Sequence, residues 1–148
     1  MSALAPVQKI LAWRLFSRRE EVVSTFAIIK WWEVRRIPYN IAVGTAGVIT
    51  LIVVVAVAAI ASEKFGEPLG LPDPPILAVF AVIGYAIGAN VCFTGGWIAE
   101  ILVRKLWRER AGAFAQISFA LGVAFSILLT LAPAALFTGL LIARLLLR

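Results

Sequence analysis

The sequence predicts an all-α integral membrane protein: a bundle of three transmembrane helices, or four, behind an N-terminal cytoplasmic amphipathic arm. Three observations carry that prediction. Of the 148 residues, 62% are hydrophobic and only 15% are charged, against about 45–50% and about 25% in soluble domains. The mean hydropathy is +0.98. Charge is absent from three long runs, Ile37–Ser62, Pro74–Ala99 and Ala111–Ala143, each longer than the ~20 residues that cross a hydrocarbon core. Such a composition excludes a water-soluble globular enzyme and also a disordered chain, which would be poor in apolar residues.

Residues 1–36 form the arm. Basic and acidic residues recur every few positions, from Lys9 to Arg36, so this stretch reads neither as a signal peptide nor as a span. Val7, Ile10, Leu11 and Leu15, then Val22, Val23, Phe26 and Ile29, are spaced by three and four and share helical faces. Two short amphipathic helices with a break near Ser17–Arg19 are therefore expected, lying on lipid or docked on a partner. Trp13, Trp31 and Trp32 stand among Lys and Arg, including Arg35 and Arg36, as interfacial anchors do.

The transmembrane domain is residues 37–148. Its first span is expected at about 39–61, with Pro38 in the first turn, where a missing N–H is harmless. This segment is rich in β-branched residues, but lipid requires internal hydrogen bonding and so imposes a helix. Glu63–Pro75 is dense in Gly and Pro and reads as a turn. The second span is expected at about 75–99. Along it Gly84, Gly88, Cys92 and Gly96 recur every fourth residue, a small-residue face of the kind that lets helices approach closely. Asn90 and Thr94 are intramembrane polar candidates, read first as interhelical hydrogen-bond partners and second as a substrate or ion site. A second basic and aromatic cluster follows, with Arg104, Lys105, Trp107 and Arg108, and Trp97 anchors the same end.

The last uncharged run would make a straight helix of about 50 Å, too long for one crossing and short for a hairpin. The third span is therefore expected at about 112–131, broken at Pro133, with the tail either interfacial or a kinked continuation; a hairpin at Thr130–Pro133 is the four-span alternative. Ser118, Gly122, Ser126 and Thr130 form a second small face, a natural partner for the glycine face, and Gln116 is a further polar candidate. Because both basic clusters fall on one side and the Glu63–Pro75 loop is net acidic, the N-terminus is expected in the cytoplasm.

Two stretches, Trp31-Trp32-Glu33 through Arg35-Arg36 to Tyr39-Asn40 and Gly44, and Ala89-Asn90-Val91-Cys92-Phe93-Thr94 to Gly96-Trp97, resemble an uncharacterised family of small multi-spanning bacterial inner-membrane proteins. The resemblance covers about Trp31–Trp97. It implies the bacterial inner membrane and carries over no activity and no catalytic residues.

The inventory narrows function further. There is no histidine, one cysteine (Cys92) and, among eight acids, one aspartate (Asp73). Histidine-based acid–base catalysis, a disulfide within the chain and a zinc or iron–sulfur cage are thereby removed, and no catalytic residue or metal ligand is expected. The net charge of +6 is read as attraction to anionic headgroups, not nucleic acid. The expected role is a non-catalytic accessory or structural subunit of a larger membrane complex, such as a respiratory or photosynthetic assembly. Its expected partners are the lipid bilayer and other membrane-protein subunits. No cofactor is predicted from the chain itself; bound lipid is expected, and contact with a pigment or quinone is compatible with the aromatic rings. The alternatives are a homo-oligomeric channel or small transporter, with Asn90, Thr94, Gln116, Ser118 and Ser126 along a pore, and a lipid-acting enzyme with Glu33 or Glu100 as base.

Overall fold

The structure is a computed structural model in which residues 24–66, 76–107 and 113–147 are described. It is an all-α bundle of three helices, α1 (Thr25–Phe65), α2 (Ile76–Leu106) and α3 (Phe114–Leu146), with no strand among the described residues. Each is long and apolar enough to cross a membrane. The chain is a membrane protein.

Helix α1 begins earlier than the sequence suggests. Ser24 is its N-cap: the Ala27 N–H donates to Ser24 Oγ at 3.2 Å, and Ile28 N–H to the Ser24 carbonyl at 3.1 Å. The helix then continues through Pro38. Residues 25–36 are thus the first turns of α1 itself, and Pro38 lies in a helix interior. Propensity argues against this, since an interior proline costs about 3 kcal/mol in water. Packing on both sides of the ring decides otherwise: Ile28 and Trp32 before it, Tyr39 and Val43 after it, are all buried. At the other end Gly66 adopts φ +70° and its N–H returns to the Ser62 carbonyl at 2.9 Å, a left-handed C-terminal stop that glycine tolerates without strain. The first arm helix, the Ser17–Arg19 break and Trp13 lie outside the described residues.

Two further boundaries move. Helix α2 runs on past Ala99 to Leu106, so Glu100, Arg104 and Lys105 are helical. Helix α3 passes Pro133 without ending and reaches Leu146. The tail is therefore the second half of one helix, and the Thr130–Pro133 hairpin of the four-span alternative is not formed.

The chain divides into two compact units, Met1–Tyr39 with Ala89–Ala124, and Asn40–Gly88 with Phe125–Arg148. In the second, Val57, Ala61 and Leu141 are buried together with Val53, Phe65 and Phe137 against them. Hydroxyl groups tie its three helical segments. Thr50 Oγ1 donates to the Thr130 carbonyl at 2.7 Å, and Thr130 Oγ1 donates to the Ser126 carbonyl at 2.6 Å. The Tyr85 hydroxyl lies 2.6 Å from Thr130 Oγ1 and 3.1 Å from the Ser126 carbonyl. These bonds fall in the turns just before Pro133. A proline there removes the N–H that would serve the Leu129 carbonyl; the hydroxyls bond the carbonyls of Ser126 and Thr130 on either side of it.

Replacing Thr50 by Val, or Tyr85 by Phe, keeps shape and removes one donor. Each is expected to cost about 1 kcal/mol, read as a lower midpoint of thermal unfolding followed by circular dichroism in detergent. Unchanged midpoints for both would show that the hydroxyls do not hold these helices together.

Candidate functional site: a buried carboxylate within an aromatic cluster

The first unit contains the residue types that the sequence marks as noteworthy, and it is built around Trp32. Its indole is 3% exposed, and Nε1 donates to Glu100 Oε2 at 2.8 Å. Glu100 is 0% exposed, and its Oε1 receives Arg104 Nε at 2.7 Å from one turn further along α2. Removing a carboxylate from water costs several kcal/mol, and only paired charge together with directed donors offsets it.

Rings close the site. Phe93, Phe119 and Trp31 stand edge-on to Trp32, with centroids at 5.5, 5.9 and 5.5 Å, the geometry that ring quadrupoles favour. Tyr39 packs on Phe93 at 4.8 Å, and its hydroxyl donates to the Ala89 carbonyl at 3.4 Å. Gly96 makes the approach of Trp32 to α2 possible. A Cβ there would lie 2.6 Å from two Trp32 ring atoms, closer than any real contact, so the indole occupies the space a side chain would need.

A second polar group lies in the same unit. Arg36 forms a bidentate pair with Glu33, at 2.8 and 2.7 Å. It also reaches α2, where Nη2 donates to Thr94 Oγ1 at 2.9 Å and Nη1 to Asn90 Oδ1 at 3.4 Å. Thr94 donates its own proton to the Asn90 carbonyl at 2.9 Å, which leaves its oxygen lone pairs for Arg36. Arg35 lies 3.9 Å over the Trp31 ring and donates to the Trp31 carbonyl at 3.0 Å.

The structure brings Asn90 and Thr94 together and hands both to Arg36; Gln116 takes no part in that network. Trp32 is a core residue and not an interfacial anchor, because its N–H is the donor a buried carboxylate requires. Trp31, Arg35 and Arg36 are partly buried and engaged inside the chain. Trp97 Nε1 is buried and has no hydrogen-bond partner among the described residues. Lys105 and Trp107 are exposed, as anchors should be, and Arg108 lies outside the described residues.

The small-residue faces do not pack as a pair. Gly84, Gly88 and Gly122 have nothing within 4 Å of an added Cβ, and Cys92 is exposed. The physical reason is that the inward positions of α2 go to Tyr85, Phe93 and Glu100, whose rings and charge need partners, so the small residues are left outside. Only Gly96 makes the close approach, and to a ring in place of a helix backbone. Ser118 is partly buried, and Ser126 contributes its carbonyl.

Sequence reasoning offers Glu100 only as an alternative base and misses both its burial and the roles of Phe93 and Phe119. A signal existed: Glu33/Arg36 and Glu100/Arg104 are opposite charges at i,i+3 and i,i+4, each beside the end of an uncharged run. Chemically, Glu100 gives one oxygen to an indole and the other to a guanidinium, and Glu33 gives both to Arg36. Such carboxylates bind and position. Among the described residues, no three His, Cys, Asp or Glu side chains gather as metal ligands would.

No known protein family, curated protein or solved structure matches the chain.

Trp32→Phe is expected to cost about 1–3 kcal/mol by leaving Glu100 short of a donor, and Glu100→Ala about 3–5 kcal/mol by stranding Arg104 and opening a void. Gly96→Ala should destabilise by about 1–3 kcal/mol through overpacking, whereas Gly88→Ala should not. Thermal midpoints in detergent check the order; equal effects at Gly96 and Gly88 would contradict the site.

Proposed function

We propose that this chain is a non-catalytic accessory or structural subunit of a larger membrane complex in the bacterial inner membrane, with its N-terminus in the cytoplasm. The observation that carries the proposal is the outer surface of α2. Only 6% of its most apolar stretch is buried within the chain. Phe80, Ile87, Val91 and Leu102 are exposed beside the open glycines Gly84 and Gly88. Lipid covers some such surface in any span. But α2 is 31 residues long, about 46 Å at the helical rise, against a hydrocarbon core of about 30 Å. Phe26, 75% exposed, carries apolar surface on α1 beyond the charged pair Glu33–Arg36, and Val34 adds to it between the two charges, at the level where hydrocarbon gives way to headgroups. Neighbouring subunits supply the missing cover.

The channel reading is less well supported. Asn90 and Thr94, its principal pore-lining candidates, are committed to Arg36. The cytoplasmic orientation rests on Lys30, Arg35, Arg36, Arg104 and Lys105, which the positive-inside rule retains.

Extraction of native membranes in a gentle detergent, native-gel separation and mass spectrometry of co-migrating chains test the reading. A large complex of fixed stoichiometry is expected. Migration alone or as a homo-oligomer would overturn it, and a conductance altered by Asn90→Ala would then install the channel in its place.

A further inference from the structure

Among the described residues of the first unit, Arg36 and Arg104 each pair with an acid and use their guanidinium groups differently. Arg36 spends Nε, Nη1 and Nη2 inside the chain. Arg104 spends only Nε, on Glu100. Among the described residues, its two terminal amino groups have no partner, and its side chain is 24% exposed. Lys105 and then Trp107, 57% exposed, follow it at the end of α2. Glu33 and Glu100, the acids among the described residues of the unit, are already engaged: Glu33 by Arg36, Glu100 by burial against Trp32 and Arg104. The described residues of the unit carry five basic side chains (Lys30, Arg35, Arg36, Arg104, Lys105) and two acidic ones, a net of 5 − 2 = +3.

At this end of α2 stand a partly exposed guanidinium, whose terminal amino groups have no partner among the described residues, and an exposed ammonium and indole ring. A guanidinium fork matches two oxygens of a phosphate in parallel. The end of a helix carries roughly −0.5 of a charge, which opposes an anion, but Lys105 alone outweighs it. A tryptophan beside cations at the end of an apolar run belongs at headgroup depth. We propose that Arg104, Lys105 and Trp107 form a site for the phosphodiester headgroup of an anionic phospholipid. The site goes beyond the accessory role and does not rest on it, since it needs only this chain and a bilayer.

The test uses the full chain purified in a mild non-ionic detergent and offered phosphatidylglycerol or phosphatidylcholine of identical acyl chains. Lipid retained per chain is read by native mass spectrometry. Phosphatidylglycerol is expected to be retained about tenfold over phosphatidylcholine. Arg104→Lys keeps a cation for Glu100 but loses the fork, and Lys105→Gln removes the neighbouring charge; each should reduce the preference several-fold, and the double variant should abolish it with helical circular dichroism unchanged. Equal retention of the two lipids by the parent chain, or a preference surviving in the double variant, would overturn the site. If the double variant loses helicity, Lys105→Gln and Trp107→Ala decide alone, and an undiminished preference in both overturns it. Thermal protection by inorganic phosphate equal to that by phosphatidylglycerol at the same concentration would overturn the headgroup assignment in favour of a free anion.

Discussion

The burial of one carboxylate constrains most of the first unit. Glu100 has no exposed surface, so each of its oxygens needs a donor supplied by the protein. Trp32 provides one and Arg104 the other. For the indole to reach α2 at hydrogen-bond distance, the helix must present no Cβ beneath it, which fixes Gly96. The ring then offers its remaining edges to Trp31, Phe93 and Phe119. These rings exclude water, and that exclusion strengthens the two charge-assisted bonds while making the loss of either more costly. A glycine, four rings and an arginine are thus consequences of one buried charge.

The second unit meets the same problem with different chemistry. The hydrogen bonds that join its helical segments run between hydroxyls and from hydroxyls to backbone carbonyls, in the turns before Pro133. Thr50, Tyr85 and Thr130 answer with short hydrogen bonds that carry no net charge. The division follows the sequence. Charge pairs stand beside the ends of the uncharged runs, and hydroxyls and the amides Asn40, Asn90 and Gln116 stand within them, because an ionised side chain costs far more in hydrocarbon than a neutral polar group that finds a partner.

Helix number and apolar character were legible in the sequence because they depend on run length and charge, which are local properties. Boundaries were less so. Pro38 and Pro133 are strong breakers in water, and local rules end helices there; the burial of Trp32 and Tyr39 on either side of Pro38 is a tertiary fact that no window contains. The site was legible in part. Asn90 and Thr94 stand out as polar residues in an apolar run, and the three-residue spacing of Glu33 and Arg36 is that of an ion pair on one helical face. Along the chain Glu100 simply follows the end of an uncharged run. What matters is its position around the helix, on the side of Phe93 and Tyr85. Trp32 was misread for the same reason: a tryptophan beside arginines signals a headgroup anchor or a buried donor, and composition alone does not separate the two.

That distinction bears on what the small residues are for. A four-residue glycine repeat ordinarily implies close packing of two helices, and here the chain holds two such stripes. Within one chain they do not face each other, because Tyr85, Phe93 and Glu100 compete for the inward side of α2 and win. A ring or a charge left outside would forfeit its hydrogen bond or its dispersion contacts, whereas a glycine left outside forfeits neither. Gly84 and Gly88 nonetheless lower the helix propensity of α2 by about 1 kcal/mol each relative to alanine, a cost with no return inside this chain. Under the proposed accessory role, a neighbouring surface brought close to the backbone of α2 would recover that cost.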